Sequence, residues 1–497
     1  MGISKKHTYG KSLSRREILK YSLYGGLAAG LAPSLWLSGC GKRQQGKKPN
    51  IILIILDTAR ADGLSVLAEH GSSTPNIDDI SQQGTTFVNA FASSPWTVPS
   101  HASIFTGYYS HRHNAVHDHF HLSDSFKTMA EILKSLGYIT GGFTCNAWLR
   151  VKSGMEQGFD TYEEVYEKPT KPKKTDQGAS KATKRVVKWL NQRADDRKPF
   201  FLFVNYMEAH RPYHPPARVL YRLDSMKAKP GLRFFSSFPE KLAGLYNIGR
   251  LKLTPDELAR VQTLYRAEIA YLDEHIGTLI SCLRTGGPLD NTILIITSDH
   301  GENLGEHNLI GHEFSLFDTV LHVPLIVRFP SALPPGELVE APVSLVDILP
   351  TILEILGDHA RLAELKGVSL LRAKNVQANE NRGILAEYSR PKTLINRHMR
   401  RKFPQVDLSH YDVSLKALRK GRFKYVVSGR GEEFLYNVVE DPAELADVSA
   451  SFPEQLSRLR TELTELTQTV GPIEDREDKS EPFTPEQRRQ LESLGYL

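Results

Sequence analysis

The sequence predicts an α/β fold: a large mixed, mostly parallel sheet flanked by helices, with a smaller α+β C-terminal part. Three observations predict it. Apolar runs of strand length, such as residues 51–56 (IILIIL) and 293–296 (ILII), lack the alternation of a half-exposed strand and suit burial on both faces. Stretches with helical spacing lie between such runs, as the crossovers of parallel strands require. From about residue 376 the pattern changes to short strand-like runs and a charged amphipathic helix. A chain of 497 residues, 40% of them hydrophobic, has room for one large domain and a smaller appended one.

Residues 1–39 are read as a signal peptide. The segment 14–20 (SRREILK) resembles a twin-arginine export signal, and the apolar stretch 21–36 is too short and glycine-rich for a membrane span. It ends in LSGC at 37–40, which resembles a bacterial lipobox with cleavage before Cys40 and diacylation of its thiol. The expected product is an exported protein of the bacterial cell envelope, anchored to a membrane through Cys40, with residues 40–48 as a polar, basic tether. The leader also explains the charge. Of 63 basic and 57 acidic residues, residues 1–39 hold six and one, so the remainder carries 57 and 56. Such a balance gives no reason to expect a nucleic-acid partner. Cys145 and Cys282 are too far apart to suggest a disulfide framework and are expected to be buried apolar thiols.

The catalytic part is expected over 49–375 and the C-terminal part over 376–497. Strands are expected at 51–56, 139–143, 200–204, 292–296 and 323–327, each an apolar run. Helices are expected at 126–136, in a stretch reaching residue 190 after a surface loop that begins at 168, at 255–283 and at 343–356. The 255–283 helix has Thr254 as N-cap, Pro255 in its first turn and Gly286-Gly287 at its end. Residues 217–254 read as an irregular insertion forming part of a pocket wall. In the C-terminal part, strands are expected at 423–428 and 433–436 and a helix at 453–467.

In open α/β sheets, ligands bind beyond the carboxyl ends of the strands. Asp57, Asp299 and His300 each follow such a strand, and two carboxylates with an imidazole can hold one divalent cation, with one or two ions expected in all. Oxygen ligands alone suit calcium or magnesium; the imidazole favours zinc, manganese or iron. An aspartate after a strand is also a common turn or cap residue, and for Asp57 alone that alternative stands. Thr97 lies in WTVPSHASIFTG (96–107), where Pro99 fits the first turn of a short helix ended by Gly107. A hydroxyl there faces the positive end of the helix dipole, and metal coordination lowers its pKa toward an alkoxide nucleophile. The same place also suits a plain N-cap threonine, worth ~1 kcal/mol.

Several spaced segments, in order, resemble the sulfatase family within the alkaline phosphatase superfamily. They are NIILIILDTARADGL (50–64), WTVPSHASIFTG (96–107), MEAHRPYHPP (207–216), TSDHGENLGEH (297–307) and HVPLIV (322–327), with RKGRFKYV near Arg419 resembling the family's C-terminal portion. The resemblance implies an ester hydrolase and gives Asp57, Thr97, Asp299 and His300 the metal set of the superfamily's phosphonate and phosphodiester hydrolases. His210 matches a histidine that contacts the transferred group or the leaving oxygen. His312 stands where many sulfatases have a lysine, as general acid or anion contact, and His101 replaces an arginine beside the nucleophile. Asn146 is a pocket polar group by the same reading. His214, Glu302 and His322 suit structural roles as readily.

Two departures carry weight. Family sulfatases have cysteine or serine at the position of Thr97, converted to formylglycine. Threonine is not a substrate for that conversion, so no formylglycine is expected. The Asp-Asp pair of calcium sulfatases is also absent, because Thr58 follows Asp57. The implied function is metal-dependent hydrolysis of sulfate- or phosphate-type esters, with phosphoesters or phosphonates attacked by Thr97. The alternatives are a true sulfuric ester hydrolase, a transferase of phospho-head-groups onto envelope lipid or glycan, and a non-catalytic binding protein. The expected substrate is a small-molecule, glycan or lipid ester.

Overall fold

Eight strands form the main sheet: β1 Asn50–Leu56, β2 Thr85–Phe87, β3 Ile139–Thr144, β4 Thr161–Glu164, β5 Phe200–Tyr206, β6 Thr292–Thr297, β7 Leu325–Arg328 and β8 Glu337–Val339. Their order across the sheet is β8-β2-β7-β6-β1-β5-β3-β4. The run from β6 to β4 is parallel throughout. β7 runs antiparallel to both β6 and β2, and β8 is parallel to β2. The structure, a computed structural model, describes residues 47–68, 73–165, 176–193, 196–223, 237–373, 381–392, 395, 399–400, 403–468 and 483–493. The leader, Cys40, the tether up to residue 46 and residues 168–175 of the expected loop lie outside the described residues.

The unbroken apolar runs have a physical reason. Along β1, Ile51, Leu53 and Ile55 enter one core and Ile52, Ile54 and Leu56 the other, all of them fully buried. β5 and β6 divide their side chains in the same way, so a central strand must be apolar on both faces. Helices α1 (Pro75–Gln83), α4 (Ala179–Asn191) and α5 (Pro255–Thr285) pack in the core of Ile52, Ile54 and Leu56. Helices α2 (Thr97–Thr106), α3 (Met129–Ser135) and α6 (Ile348–Leu356) pack in the other. α5 starts where expected: Thr254 accepts from the Glu257 N–H while the Glu257 carboxylate accepts from the Thr254 N–H, satisfying two donors of the first turn.

Four expectations need correction. The run 323–327 is divided at Pro324, whose missing N–H cannot continue a ladder; His322–Val323 pairs in a small separate sheet and β7 begins at Leu325. The stretch 343–356 is not one helix. Val343–Ser344 is a strand, and the Ser344 N–H donates to Asp347 Oδ2 at 2.9 Å where helical backbone then starts. The segment read as irregular holds two helices, Ala217–Leu223 and Glu240–Asn247. Cys145 is buried as expected, but Cys282 is only partly so.

The C-terminal part is an antiparallel sheet in the order β9 (Ile384–Tyr388), β10 (Leu415–Lys420), β11 (Phe423–Ser428), β12 (Glu433–Asn437). Helix α7 (Pro453–Gln468) covers one face, placing Leu459 and Leu463 against Leu385, Leu418, Tyr425 and Leu435. The opposite face, through Ile384, Ala386, Tyr388, Ala417 and Val426, joins the α2 core. A buried ion cluster adds to the join. Lys424 Nζ lies 2.7 Å from Asp318 Oδ1 and 2.7 Å from Glu444 Oε1, and Arg419 pairs with Asp318 as well. The parallel strands β1, β3, β5 and β6 all end on one edge, and just past their ends stand Asp57, Asn146, His210 and Asp299.

Candidate active site

Asp57, Asp299 and His300 come together there, each offering a ligand atom within 4.8 Å of the others. All three are fully buried. Asp57 Oδ2 accepts from Asn146 Nδ2 (2.8 Å) and from Asn205 Nδ2 (3.0 Å). Asp299 Oδ1 accepts from the backbone N–H of Thr58 (3.2 Å) and of His300 (3.0 Å). To aim its N–H that way, Thr58 adopts φ 60°, a left-handed conformation costly for a β-branched residue and of the kind that gathers at functional sites. The remaining atoms, Asp57 Oδ1, Asp299 Oδ2 and His300 Nε2, are buried without a hydrogen-bond partner among the described residues. Two buried carboxylates with bare oxygens beside a bare imidazole nitrogen are unfavourable alone and fit a divalent cation. Burial, and then the neighbouring Asp299 charge, push the Asp57 carboxyl up to about 7; burial does the same to Asp299.

Thr97 is the first residue of α2, and Trp96 occupies the N-cap position, so the threonine does not cap the helix. Its Oγ1 instead accepts from Asn146 Nδ2 at 3.2 Å, the same amide group that holds Asp57. The orientation of that amide is fixed from behind, because Asn146 Oδ1 accepts from the Trp148 N–H at 2.9 Å. α2 ends at Gly107, whose φ of 72° is the left-handed conformation a glycine adopts without cost. Ser100 Oγ donates to the Asp299 carbonyl at 2.6 Å, joining α2 to the loop after β6.

Four histidines surround these groups, and each points Nδ1 at a main-chain carbonyl. His101 does so to Thr97 O (2.9 Å), His210 to Arg211 O (2.6 Å), His300 to Gly301 O (3.0 Å) and His312 to Pro95 O (3.0 Å). A carbonyl only accepts, so Nδ1 carries the proton and Nε2 the lone pair in every neutral ring. The His312 ring centroid is 4.5 Å from that of His300 and 5.4 Å from that of His210. Burial pushes His101 and His210 down to about 3 and His312 well below the usual range. His101 lies beside Asp299, with Nδ1 3.5 Å from Asp299 Oδ2 and its ring edge-on to Phe105 and Phe203.

The other sequence candidates are engaged with partners outside this cluster. The His214 backbone N–H donates to Glu268, and His322 Nε2 donates to Val88 O. Glu302 pairs with Arg211 at 2.8 Å.

The sulfatase family model matches residues 49–358, well over half of the chain. The chain belongs to the sulfatase family. It is 27% identical to mouse (Mus musculus) arylsulfatase K over 460 residues, covering 83% of this chain and 78% of that protein. It is 26% identical to the uncharacterized sulfatase YidJ of Escherichia coli (strain K12) over 380 residues, 69% of this chain and 74% of the other. Among solved structures, the phosphonate monoester hydrolase of Agrobacterium radiobacter superposes with a TM-score of 0.68 at 22% identity, covering 84% of this chain and 95% of that one. That likeness is one of fold. As a sulfatase-family member the chain is an ester hydrolase.

In this sulfatase the residue that sequence reasoning missed is Asn205. It is the single strongly polar side chain within the buried strand β5, and that isolation was the available signal: a buried amide in an apolar run must have partners.

Proposed function

We propose that this sulfatase-family enzyme hydrolyses phosphoesters or phosphonate esters with Thr97 as nucleophile. The observation that carries the reading is the placement of the Thr97 hydroxyl, directed by the Asn146 amide to the edge of the Asp57–Asp299–His300 cluster and free of any capping duty. Asp57, Asp299 and His300 would hold the divalent cation, with Thr97 as a fourth ligand. The mixed oxygen and imidazole donors favour zinc, manganese or iron over calcium. When bound, the cation supplies charge to ionise the threonine hydroxyl and to stabilise the oxygens of the transferred group.

The chain's own residues do the rest. Thr97 Oγ1, its proton released to solvent, forms the bond to phosphorus in line with the departing ester oxygen, whose bond to phosphorus breaks. His210 and His312 face that departing oxygen and deliver its proton. A bound anionic ester adds negative charge beside both rings and so favours their protonated forms against burial. Water then cleaves the threonine ester, releasing the acid and restoring the hydroxyl. His101, bonded through Nδ1 to the Thr97 carbonyl, packs beside Asp299 and helps to hold the first turn of α2.

The similarity to arylsulfatase K favours a second reading, sulfuric ester hydrolysis by the same residues. Aryl sulfate, phosphate, phosphodiester and phosphonate esters, offered to the purified protein and its Thr97→Ala variant, decide between them. Thr97-dependent turnover of phosphorus esters above sulfate supports the first reading. Sulfate as the best substrate supports the second, and turnover that survives Thr97→Ala refutes the nucleophile. The leader and Cys40 complete the proposal as an exported enzyme, lipid-anchored at the cell envelope.

A further inference from the structure

Arg211 follows His210, yet its side chain leaves the strand end and reaches two other loops. It is 2% exposed. Nε donates to Glu302 Oε1 at 2.8 Å, and Nη2 donates to Glu313 Oε1 and Oε2 at 3.0 and 2.9 Å. Glu302 stands two residues after His300, and Glu313 directly follows His312. The second Glu302 oxygen accepts from the Tyr213 hydroxyl, and the Glu302 carbonyl accepts from Arg60 at 3.2 Å, so the clamp is itself held. Gly311 makes room for it: at φ +112° its ideal Cβ would lie 2.4 Å from Arg211 Nη2, so the guanidinium packs directly on the loop backbone before His312. The same loop is fixed from outside, where Asn247 exchanges hydrogen bonds with both backbone groups of Ile310.

We propose that Arg211 is a positioning residue: its guanidinium, clamped between Glu302 and Glu313, sets the His210 and His312 rings relative to His300 and so defines the leaving-group side of the site. This rests on the reading that those two histidines serve the departing oxygen. One planar fork with donors in several directions can bind two carboxylates at once; a lysine ammonium has no such fork. Arg211 also offers its carbonyl to His210 Nδ1, so ring and clamp belong to one residue pair.

The test uses one class of ester with leaving groups graded from 4-nitrophenol to phenol and on to an alkyl alcohol. kcat and KM are measured for wild type, Arg211→Met, Arg211→Lys and Glu313→Gln, with bound metal recorded for each. A ring displaced by about 1 Å costs roughly 10²-fold in rate. Arg211→Met should therefore lose about that factor in kcat on the poorest leaving group, where proton delivery matters most, and only a few-fold on 4-nitrophenol, with KM little changed. Arg211→Lys should recover part of the loss. Glu313→Gln, at the outer end of the clamp, should show the same trend more weakly, and it carries the test if Arg211→Met does not fold. A loss equal for all leaving groups overturns the proposal, as does a change confined to KM. A readout free of turnover separates this from the functional reading: in a long-range ¹⁵N spectrum of the imidazoles, Arg211→Met should move the His210 and His312 signals and leave His322 in place. Unmoved His210 and His312 signals overturn the proposal whatever ester the wild type hydrolyses.

Discussion

Asn146 and Asn205 both donate to Asp57 Oδ2, at 2.8 and 3.0 Å, but only Asn146 also reaches Thr97. This asymmetry gives a prediction that separates metal holding from nucleophile placement. A hydrogen bond to a charged group contributes about 1.5–3 kcal/mol, so alanine at either position should weaken metal binding by roughly 10- to 100-fold. The bond from Asn146 to the threonine hydroxyl joins neutral groups and contributes about 0.5–1.5 kcal/mol. At saturating metal, Asn205→Ala should therefore recover close to wild-type kcat, while Asn146→Ala stays lower by about 3- to 10-fold. The assay is turnover across a metal titration of both variants, with metal affinity measured independently by competition with a chelating dye. Equal kcat for the two variants at saturating metal would refute the reasoning, because the contact with Thr97 would then do nothing for the reaction.

Thr97→Ala should lower turnover by at least ~10³-fold, the scale on which loss of a covalent nucleophile is felt, whereas Thr97→Ser should keep measurable activity in the same steady-state assay. Chelation should destabilise the protein more at pH 8 than at pH 5. Burial raises Asp57 and Asp299 from 3.8 to about 7, so the metal-free folded chain binds more protons than the unfolded one between those values, and its stability falls as pH rises through that window. Thermal melts with and without chelator at the two pH values check the sign. Lys424→Met should cost about 3 kcal/mol in a denaturant titration, because it strands the buried Glu444 carboxylate and removes a partner of the partly buried Asp318; a shift below about 1 kcal/mol would mean that the Glu444 charge is relieved without Lys424.

Much of the fold was legible because β1, β5 and β6 are buried on both faces, and such strands must be written as unbroken apolar runs. Asp57, Asp299 and His300 were legible for a related reason: polar residues of metal-ligand type directly after such a run sit where the sheet ends and a ligand can enter. Pro324 hid a division that local hydrophobicity cannot report, and the apolar residues 343–356 concealed a strand because hydrophobic content says nothing about where helical backbone starts; Ser344 and Asp347 said it. The Arg211 clamp was out of reach for a different reason. Its partners stand 91 and 102 residues away, and no local pattern foretells which loop a guanidinium will find.

The four site histidines share a feature with a consequence for anyone altering this enzyme. Their tautomers are dictated by carbonyl oxygens of the main chain, which no substitution of a neighbouring side chain removes. The pocket walls can thus be rebuilt for another ester while the four Nε2 lone pairs keep their direction. The proton arrangement is inherited with the backbone, and only a change that moves a loop will rewrite it.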